Sequence, residues 1–222
     1  MVILGQIQRI MIQVQSFCFN PFQENTYVLF DETKSCVVID PGCYDERERA
    51  ALTGFIASNG LKPTRLLNTH CHIDHVFGNK FISDTYSLGL EIHPKDETVL
   101  NSLMQVAKLY NLNAEESPKP TFYLKEGTAV EFGTTRLDIV FTPGHSPGSV
   151  CFICHAQKVV IAGDVLFRES IGRSDLPGGN AATLLQSIRT ELFPLDDSYT
   201  VYPGHGPSTT IGHEKAHNPF LS

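Results

Sequence analysis

Thr69-His70-Cys71-His72-Ile73-Asp74-His75 gathers three histidines and an aspartate directly after residues 65–68, which read as a short strand. His70 and His72 are two apart at the end of that strand, so their rings project from one face and can grip a single cation. Asp74 and His75 follow where the chain must turn into a helix, which points them at a neighbouring position. Cys71 lies between two candidate ligands, but strand alternation turns its side chain away from theirs and argues against a nucleophile. Working outward, three more candidates each end a strand behind a glycine: His145 after Val-Phe-Thr-Pro-Gly, Asp164 after Val-Ile-Ala-Gly and His205 after Val-Tyr-Pro-Gly. Glycine there lets the backbone turn sharply and approach a site closely. A lone Gly-His is more often a capped turn; five histidines and two aspartates in this pattern point to a metal centre.

Around these residues the chain alternates strands and helices. Residues 14–19, 26–30 and 36–39 are short β-branched and aromatic runs separated by turn formers, a meander of antiparallel strands. Asp40-Pro41-Gly42 ends the third run, and residues 44–58 carry apolar positions at helical spacing, closed by Gly60. Helices are predicted at 76–87 and 94–110, the latter opened by Pro94, with a strand at 90–92 between them. The polar, proline-containing stretch 111–120 reads as a surface loop. The second half repeats the arrangement, with strands near 122, 129–132, 136–141, 149–154 and 159–162, a helix at 181–192 and a last strand at 199–202. Two runs of strands, each followed by helices, predict an α+β fold in which two packed sheets carry helices on their outer faces: a four-layer α/β/β/α sandwich. Residues 1–222 are read as a single domain, with 1–10 a disordered extension or the product of an early start codon.

The chain has 222 residues, with 17 Lys and Arg against 24 Asp and Glu. This acidic balance argues against a general nucleic-acid or anionic-membrane binder, since either needs a basic footprint. No stretch reaches the roughly 18 unbroken apolar residues of a membrane span, and the N-terminus lacks the pattern of a signal peptide. Cys18, Cys36, Cys43, Cys71, Cys151 and Cys154 sit mostly within apolar runs, so they are read as reduced thiols of a cytosolic protein. Cys151 and Cys154 form a C-x-x-C on a predicted strand, where positions three apart face opposite sides, against a redox or zinc pair. His93, His155, His213 and His217 lack a partner at ligand spacing and read as surface or capping residues. Asp84, Asp96 and Asp175 read as helix-boundary or loop residues.

The segment His70 to His75 matches the H-x-H-x-D-H signature, and the chain thereby resembles the metallo-β-lactamase superfamily. More narrowly it is similar to the short glyoxalase II-like hydrolases. That likeness rests on Thr-His-Cys-His-Ile-Asp-His-Val-Phe-Gly-Asn at 69–79, Thr-Pro-Gly-His-Ser-Pro-Gly-Ser at 142–149, Ala-Gly-Asp at 162–164, Ser-Ile-Gly-Arg-Ser-Asp-Leu-Pro-Gly-Gly at 170–179 and Tyr-Pro-Gly-His-Gly at 202–206. The resemblance implies two divalent ions, zinc first, with iron or manganese compatible with the same donors. It puts one ion on His70, His72 and His145, the other on Asp74, His75 and His205, and Asp164 between them. It also implies a catalytic part for Asp74 and Asp164 and a substrate contact at Arg173. Asp175 stands where the family has an aromatic residue.

Two divalent ions against two carboxylates and a hydroxide leave one net positive charge, where an anionic tetrahedral intermediate would be stabilised. Metal coordination lowers the pKa of water to about 7, so hydroxide is available to attack a thioester carbonyl without a serine or cysteine nucleophile. The implied activity is therefore hydrolysis of small-molecule thioesters of the hydroxyacylglutathione type. Only residues 206–222 follow His205, so the C-terminal helical domain that carries much of the glutathione site in two-domain relatives is expected to be missing. Broad tolerance for the thiol follows. A persulfide dioxygenase using one iron on His70, His145 and Asp164 stays open, as do a β-lactamase or nuclease and, less favoured, a non-catalytic metal-binding module. The oligomeric state is not encoded in any feature of the sequence.

Overall fold

A computed structural model describes residues 12–221, so the expected extension at 1–10 lies outside the described residues. β1 (Gln13–Phe19), β2 (Glu24–Phe30) and β3 (Ser35–Ile39) form the predicted antiparallel meander. β4 (Lys62–Leu67), β5 (Leu90–Ile92) and β6 (Pro120–Tyr123) then extend the same sheet in parallel, in the order β1-β2-β3-β4-β5-β6. A second six-stranded sheet holds β7 (Ala129–Phe132), β8 (Thr135–Phe141), β9 (Val150–Cys154) and β10 (Val159–Gly163). It is completed by β13 (Thr200–Pro203) and β14 (Thr209–Thr210), in the order β14-β13-β10-β9-β8-β7. A small ribbon of β11 (Leu166–Phe167) and β12 (Ser170–Ile171) stands apart.

Three hydrophobic clusters mark the three interfaces of four layers, and side-chain alternation along each strand explains them. Val28 and Val38 point outward to Leu52 and Ile56 of α1 (Glu46–Ser58) and Ile82 of α3 (Asn79–Tyr86). Their neighbours Leu29, Val37 and Ile39 point inward and meet Leu137, Phe152 and Ile161 of the second sheet. Ile153 and Val160 face the opposite outer side, against Leu184 of α6 (Ala181–Ser187) and Ile211 of α7 (Ile211–His217). Cys151 belongs to that outer cluster and Cys154 to the inner one, so the C-x-x-C pair is split across the sheet. All six cysteines are free thiols. Every residue of β2 is buried, as expected of a strand covered on both faces. Among the described residues no helix is long and apolar enough to cross a membrane.

Two predicted helices are broken. In place of 76–87 there are α2 (Ile73–Val76) and α3, interrupted at Phe77 and Gly78. The Gly78 amide donates to the Pro41 carbonyl at 2.6 Å, and a Cβ there would overlap Cys43 Sγ. In place of 94–110 a 3-10 turn at Pro94–Asp96 leads into α4 (Glu97–Asn101), which breaks at Ser102 before α5 (Leu103–Tyr110). The helix predicted at 181–192 is continuous but winds into a π-helical turn at Ile188–Leu192.

Asp31, buried at the end of β2, fastens the two sheets to each other. Its carboxylate accepts from the Thr33 amide at 3.0 Å and, across the β7–β8 turn, from the Thr134 amide at 2.7 Å and Thr135 Oγ1 at 3.0 Å. Burial pushes its pKa up, but the bonds from Thr33, Thr134 and Thr135 outweigh it and hold the group below the usual aspartate range. A depressed folded-state pKa gives stability that is present above the unfolded value and is lost as pH falls through the folded one. Asp31→Ala is accordingly expected to lower stability by about 2–3 kcal/mol at neutral pH in a urea titration. The gap from the parent protein should narrow below the unfolded aspartate value of about 3.9. A pH-independent gap would assign the loss to packing.

Candidate metal centre

The parallel pairings set where the chemistry collects. Ligands in open α/β sheets bind beyond the carboxyl ends of parallel strands. Here the loops after β3, β4 and β5 carry Asp40, the 70–75 segment and Asp96, while those after β10 and β13 carry Asp164 and His205. β8, whose C-terminal end leads to His145, completes the set.

β4 ends at Leu67, so His70 and His72 stand in the loop beyond it rather than on the strand. The backbone stays extended through His72, at φ −65° and ψ 154°, and the two rings still share a side. Cys71 faces the other way into the first core cluster, its thiol pushed well up by burial, next to Asp96 and Asp40. Helix α2 begins at Ile73 and carries Asp74 and His75 back toward the second sheet.

Each trio expected from the sequence converges. His70, His72 and His145 offer donor atoms within 4.8 Å of one another, and so do Asp74, His75 and His205. His72 Nδ1 and His70 Nε2 lie 2.8 and 3.2 Å from His145 Nε2. The trios abut, with the His70 and His75 ring centroids 4.1 Å apart. Asp164 lies across both: its Oδ1 is 3.4 Å from His75 Nε2, and its Oδ2 is 3.5 Å from both His145 Nε2 and His205 Nε2.

Hydrogen bonds behind the rings fix which nitrogen faces inward. His145 Nδ1 donates to the Arg173 carbonyl at 2.7 Å, and His205 Nδ1 to the carbonyls of Phe22 and Gln23 at 3.1 and 3.2 Å. His75 Nδ1 donates to Asp40 Oδ2 at 3.1 Å. The Thr69 hydroxyl has one proton, spent on Asp40 at 2.5 Å, so it accepts from His70 Nδ1 at 3.1 Å. Nε2 of all four rings is thereby the atom aimed into the cluster.

The donor set fits cations. His75 Nε2 and Asp164 Oδ1 are buried without a hydrogen-bond partner, although they lie close together. Such groups cost about 1–3 kcal/mol each if nothing satisfies them. Burial, together with the His75 and His145 rings, holds His70 well below its ordinary pKa, and burial with His145 brings His72 to about 4. Burial raises Asp164 and Asp74, but the histidines around them, His75 first, more than compensate and keep both ionised. Neutral His70 and His72 beside ionised Asp74 and Asp164 are in the protonation states that metal ligation needs. Burial disfavours a proton on His75, yet Asp164 and Asp74 draw one there all the same, which shows how strongly the carboxylates call for positive charge.

Two glycines make the approach possible. Gly163, at φ +50°, turns the chain so that Asp164 faces inward, and Gly204 has no room for a Cβ, which would overlap Asp164 Oδ1.

Three buried carboxylates were not among the expected site residues. Asp40, at φ +50°, accepts from the Thr69 amide at 2.7 Å besides the bonds above. Asp96 accepts from the Cys71 amide at 2.6 Å through Oδ2, and from Ser146 Oγ and the Gly148 amide at 2.5 and 2.6 Å through Oδ1. It ties the 70–72 loop to the 145–148 loop, and the boundary role expected of it is too small. Glu24 lies fully buried, its pKa pushed well up by burial, with Oε1 4.0 Å from His75 Nδ1. Asp40 carried one sequence signal: it ends β3, the parallel neighbour of β4. His93 caps the 3-10 turn, as expected of it, and stacks on Phe141.

The cluster forms the floor of a cleft of about 820 Å³, walled by α4 and α5 on one side and by the β11–β12 ribbon and residues 173–178 on the other. Arg173 lines it, but Asp175 engages its guanidinium through two bonds of 2.8 Å, Nε to Oδ1 and one terminal nitrogen to Oδ2.

Residues 19–205 match the metallo-beta-lactamase superfamily, and the chain belongs to it. It is a metallo-hydrolase of that superfamily. The hydroxyacylglutathione hydrolase GloC of Haemophilus influenzae is 38% identical over 205 residues, 90% of this chain and 94% of that protein. The crystal structure of BLEG-1 B3 metallo-beta-lactamase matches with a TM-score of 0.87 at 36% identity, covering 95% of this chain and all of that one. TTHA1623, solved in a di-iron-bound form, matches at 0.84 and 36% identity over 94% of this chain and all of that one.

If Asp96 holds the two ligand loops in register, Asp96→Asn should weaken metal retention about 10–100-fold while the fold persists. The amide keeps the volume but puts an NH2 where one carboxylate oxygen now accepts, so at least one backbone or hydroxyl donor loses its acceptor. Competition with a chromophoric chelator, with circular dichroism as the fold control, measures this. Unchanged affinity would make Asp96 a helix-boundary residue after all.

Proposed function

We propose that the chain hydrolyses thioesters of small molecules on a dinuclear centre, as the name of the Haemophilus relative suggests for that protein. The carrying observation is Asp164, whose carboxylate lies against both trios: Oδ1 faces His75, and Oδ2 lies equally near His145 and His205. In this reading His70, His72 and His145 hold one ion, Asp74, His75 and His205 the other, and Asp164 bridges them. Bound divalent ions would supply Lewis acidity toward the thioester carbonyl and water activated near neutral pH. Zinc is the first expectation, and the di-iron form of TTHA1623 keeps iron in view.

The chain's own part is to prepare that chemistry. The Arg173 carbonyl, the Phe22 carbonyl and Asp40 hold His145, His205 and His75 in the tautomer that offers Nε2. Asp164 and Asp74 stay ionised and bring negative charge to the floor, while largely apolar walls rise above it. Arg173 contacts substrate from the cleft wall, with its charge already matched by Asp175. The six free thiols suit a reducing compartment, and the cytosol is the proposed location.

Reconstitution with zinc, iron or manganese should give two metals per chain by elemental analysis, with turnover of lactoyl-glutathione and of smaller thioesters. No more than one metal after reconstitution would sink the dinuclear reading. One iron with oxygen uptake on glutathione persulfide would replace it by a dioxygenase.

Asp164→Ala should damage turnover more than Asp74→Ala, because a bridge sets both ions while Asp74 serves one. Near-normal turnover of Asp164→Ala with full metal content would remove the bridge.

A further inference from the structure

The wall of the cleft formed by α5 has a composition its packing does not explain. With 100° per residue, Leu103 and Ala107 turn into the core, and Val106, Leu109 and Tyr110 follow round the same side to line the cleft. Lys108 points the other way, and Gln105 lies at the edge of the lining side, one turn before Leu109. Leu109 is 79% exposed and Tyr110 53%, so neither is there to fill the core. Phe22 meets Tyr110 edge-on at 6.4 Å and closes one end. Phe167, Ile171 and Leu176 face them from the opposite side.

Charge is missing where a charged substrate would need it. Apart from the histidines, the charged side chains lining the cleft are Asp74 and Asp164 on the floor and Arg173 on the wall. Asp175 takes one edge of the Arg173 guanidinium with two bonds and matches its charge. A thiol bearing carboxylates, as glutathione does, therefore meets no unmatched cation outside the metal floor.

We infer that the substrates are thioesters whose acyl group is an apolar chain or ring lying against Val106, Leu109 and Tyr110, on a thiol that brings no carboxylate to the cleft. This deepens the thioester reading and rests on it. Burying one methylene is worth about a fourfold change in affinity when burial is complete.

S-ethyl, S-butyl and S-hexyl thioethers of N-acetylcysteamine carry no scissile acyl bond, so calorimetry on the metal-loaded protein reads the cleft without turnover. The dissociation constant should fall at least tenfold from ethyl to hexyl. S-hexylglutathione should bind no more tightly than its N-acetylcysteamine counterpart. Leu109→Asp, at an exposed position that the fold does not need, should remove most of the chain-length trend, and Tyr110→Ser part of it.

A flat series, tenfold tighter binding of S-hexylglutathione, or an unchanged trend in both variants would each overturn the inference. The matching acyl-N-acetylcysteamine thioesters separate it from the function itself. If the thioethers bind as expected but none of the thioesters, nor lactoyl-glutathione, is hydrolysed, the thioester reading falls and the apolar cleft stands.

Discussion

The centre depends on one buried carboxylate that is not itself in either trio. Asp40 receives the Thr69 amide, the Thr69 hydroxyl and His75 Nδ1, so one side chain fixes the exit of β4, the ring of His70 through Thr69, and the ring of His75. With its oxygens occupied by protein donors, Asp40 orients ligands and is poorly placed to become one, although it lies near enough to His70 and His75 to form a third cluster with them. Its left-handed backbone, at φ +50°, turns the chain away from β3 without a glycine. That conformation costs about 1–3 kcal/mol for a non-glycine residue and persists because the surrounding bonds over-determine it.

The same economy recurs with Asp96 one strand further along. Asp40 and Asp96 follow β3 and β5, on either side of β4, and their carboxylates hold the 69–75 segment from both flanks. Asp96 also reaches the loop after β8, so the two sheets meet at the site through hydrogen bonds as well as through the apolar layer between them. The rings consequently converge on a framework of hydrogen bonds drawn from both sheets. Preorganisation of this kind moves the cost of gathering like-charged and unsatisfied groups into the folding of the sandwich.

Legibility follows the range of the interaction. The four layers are readable because alternation in segments such as Val28-Leu29 and Val37-Val38-Ile39 is a property of neighbouring residues. The convergence of the seven residues expected as metal ligands is readable because each sits at a fixed distance from a strand end or a glycine. Helix breaks at Phe77–Gly78 and Ser102 are not, since the first answers to Pro41, a contact no local pattern reports. Asp40, Asp96 and Glu24 escape for the same reason. Nothing beside Asp96 in the chain distinguishes it from a helix-boundary aspartate; its partners are 25, 50 and 52 residues away.

Arg173 shows how a role can be shared between side chain and main chain. Its guanidinium lines the cleft, where the sequence places a substrate contact, and is paired with Asp175. Its carbonyl holds the His145 ring, so the residue also serves the centre through its main chain. Asp175 is held low, at about 2, first by its bond from Arg173 and then by a backbone amide, so it stays charged across the neutral range. The wall therefore sets an ion pair on one side against the apolar face of α5 on the other. With cations held on the floor, selection among substrates falls, on the inference drawn from that face, to the shape and polarity of the walls, through area removed from water.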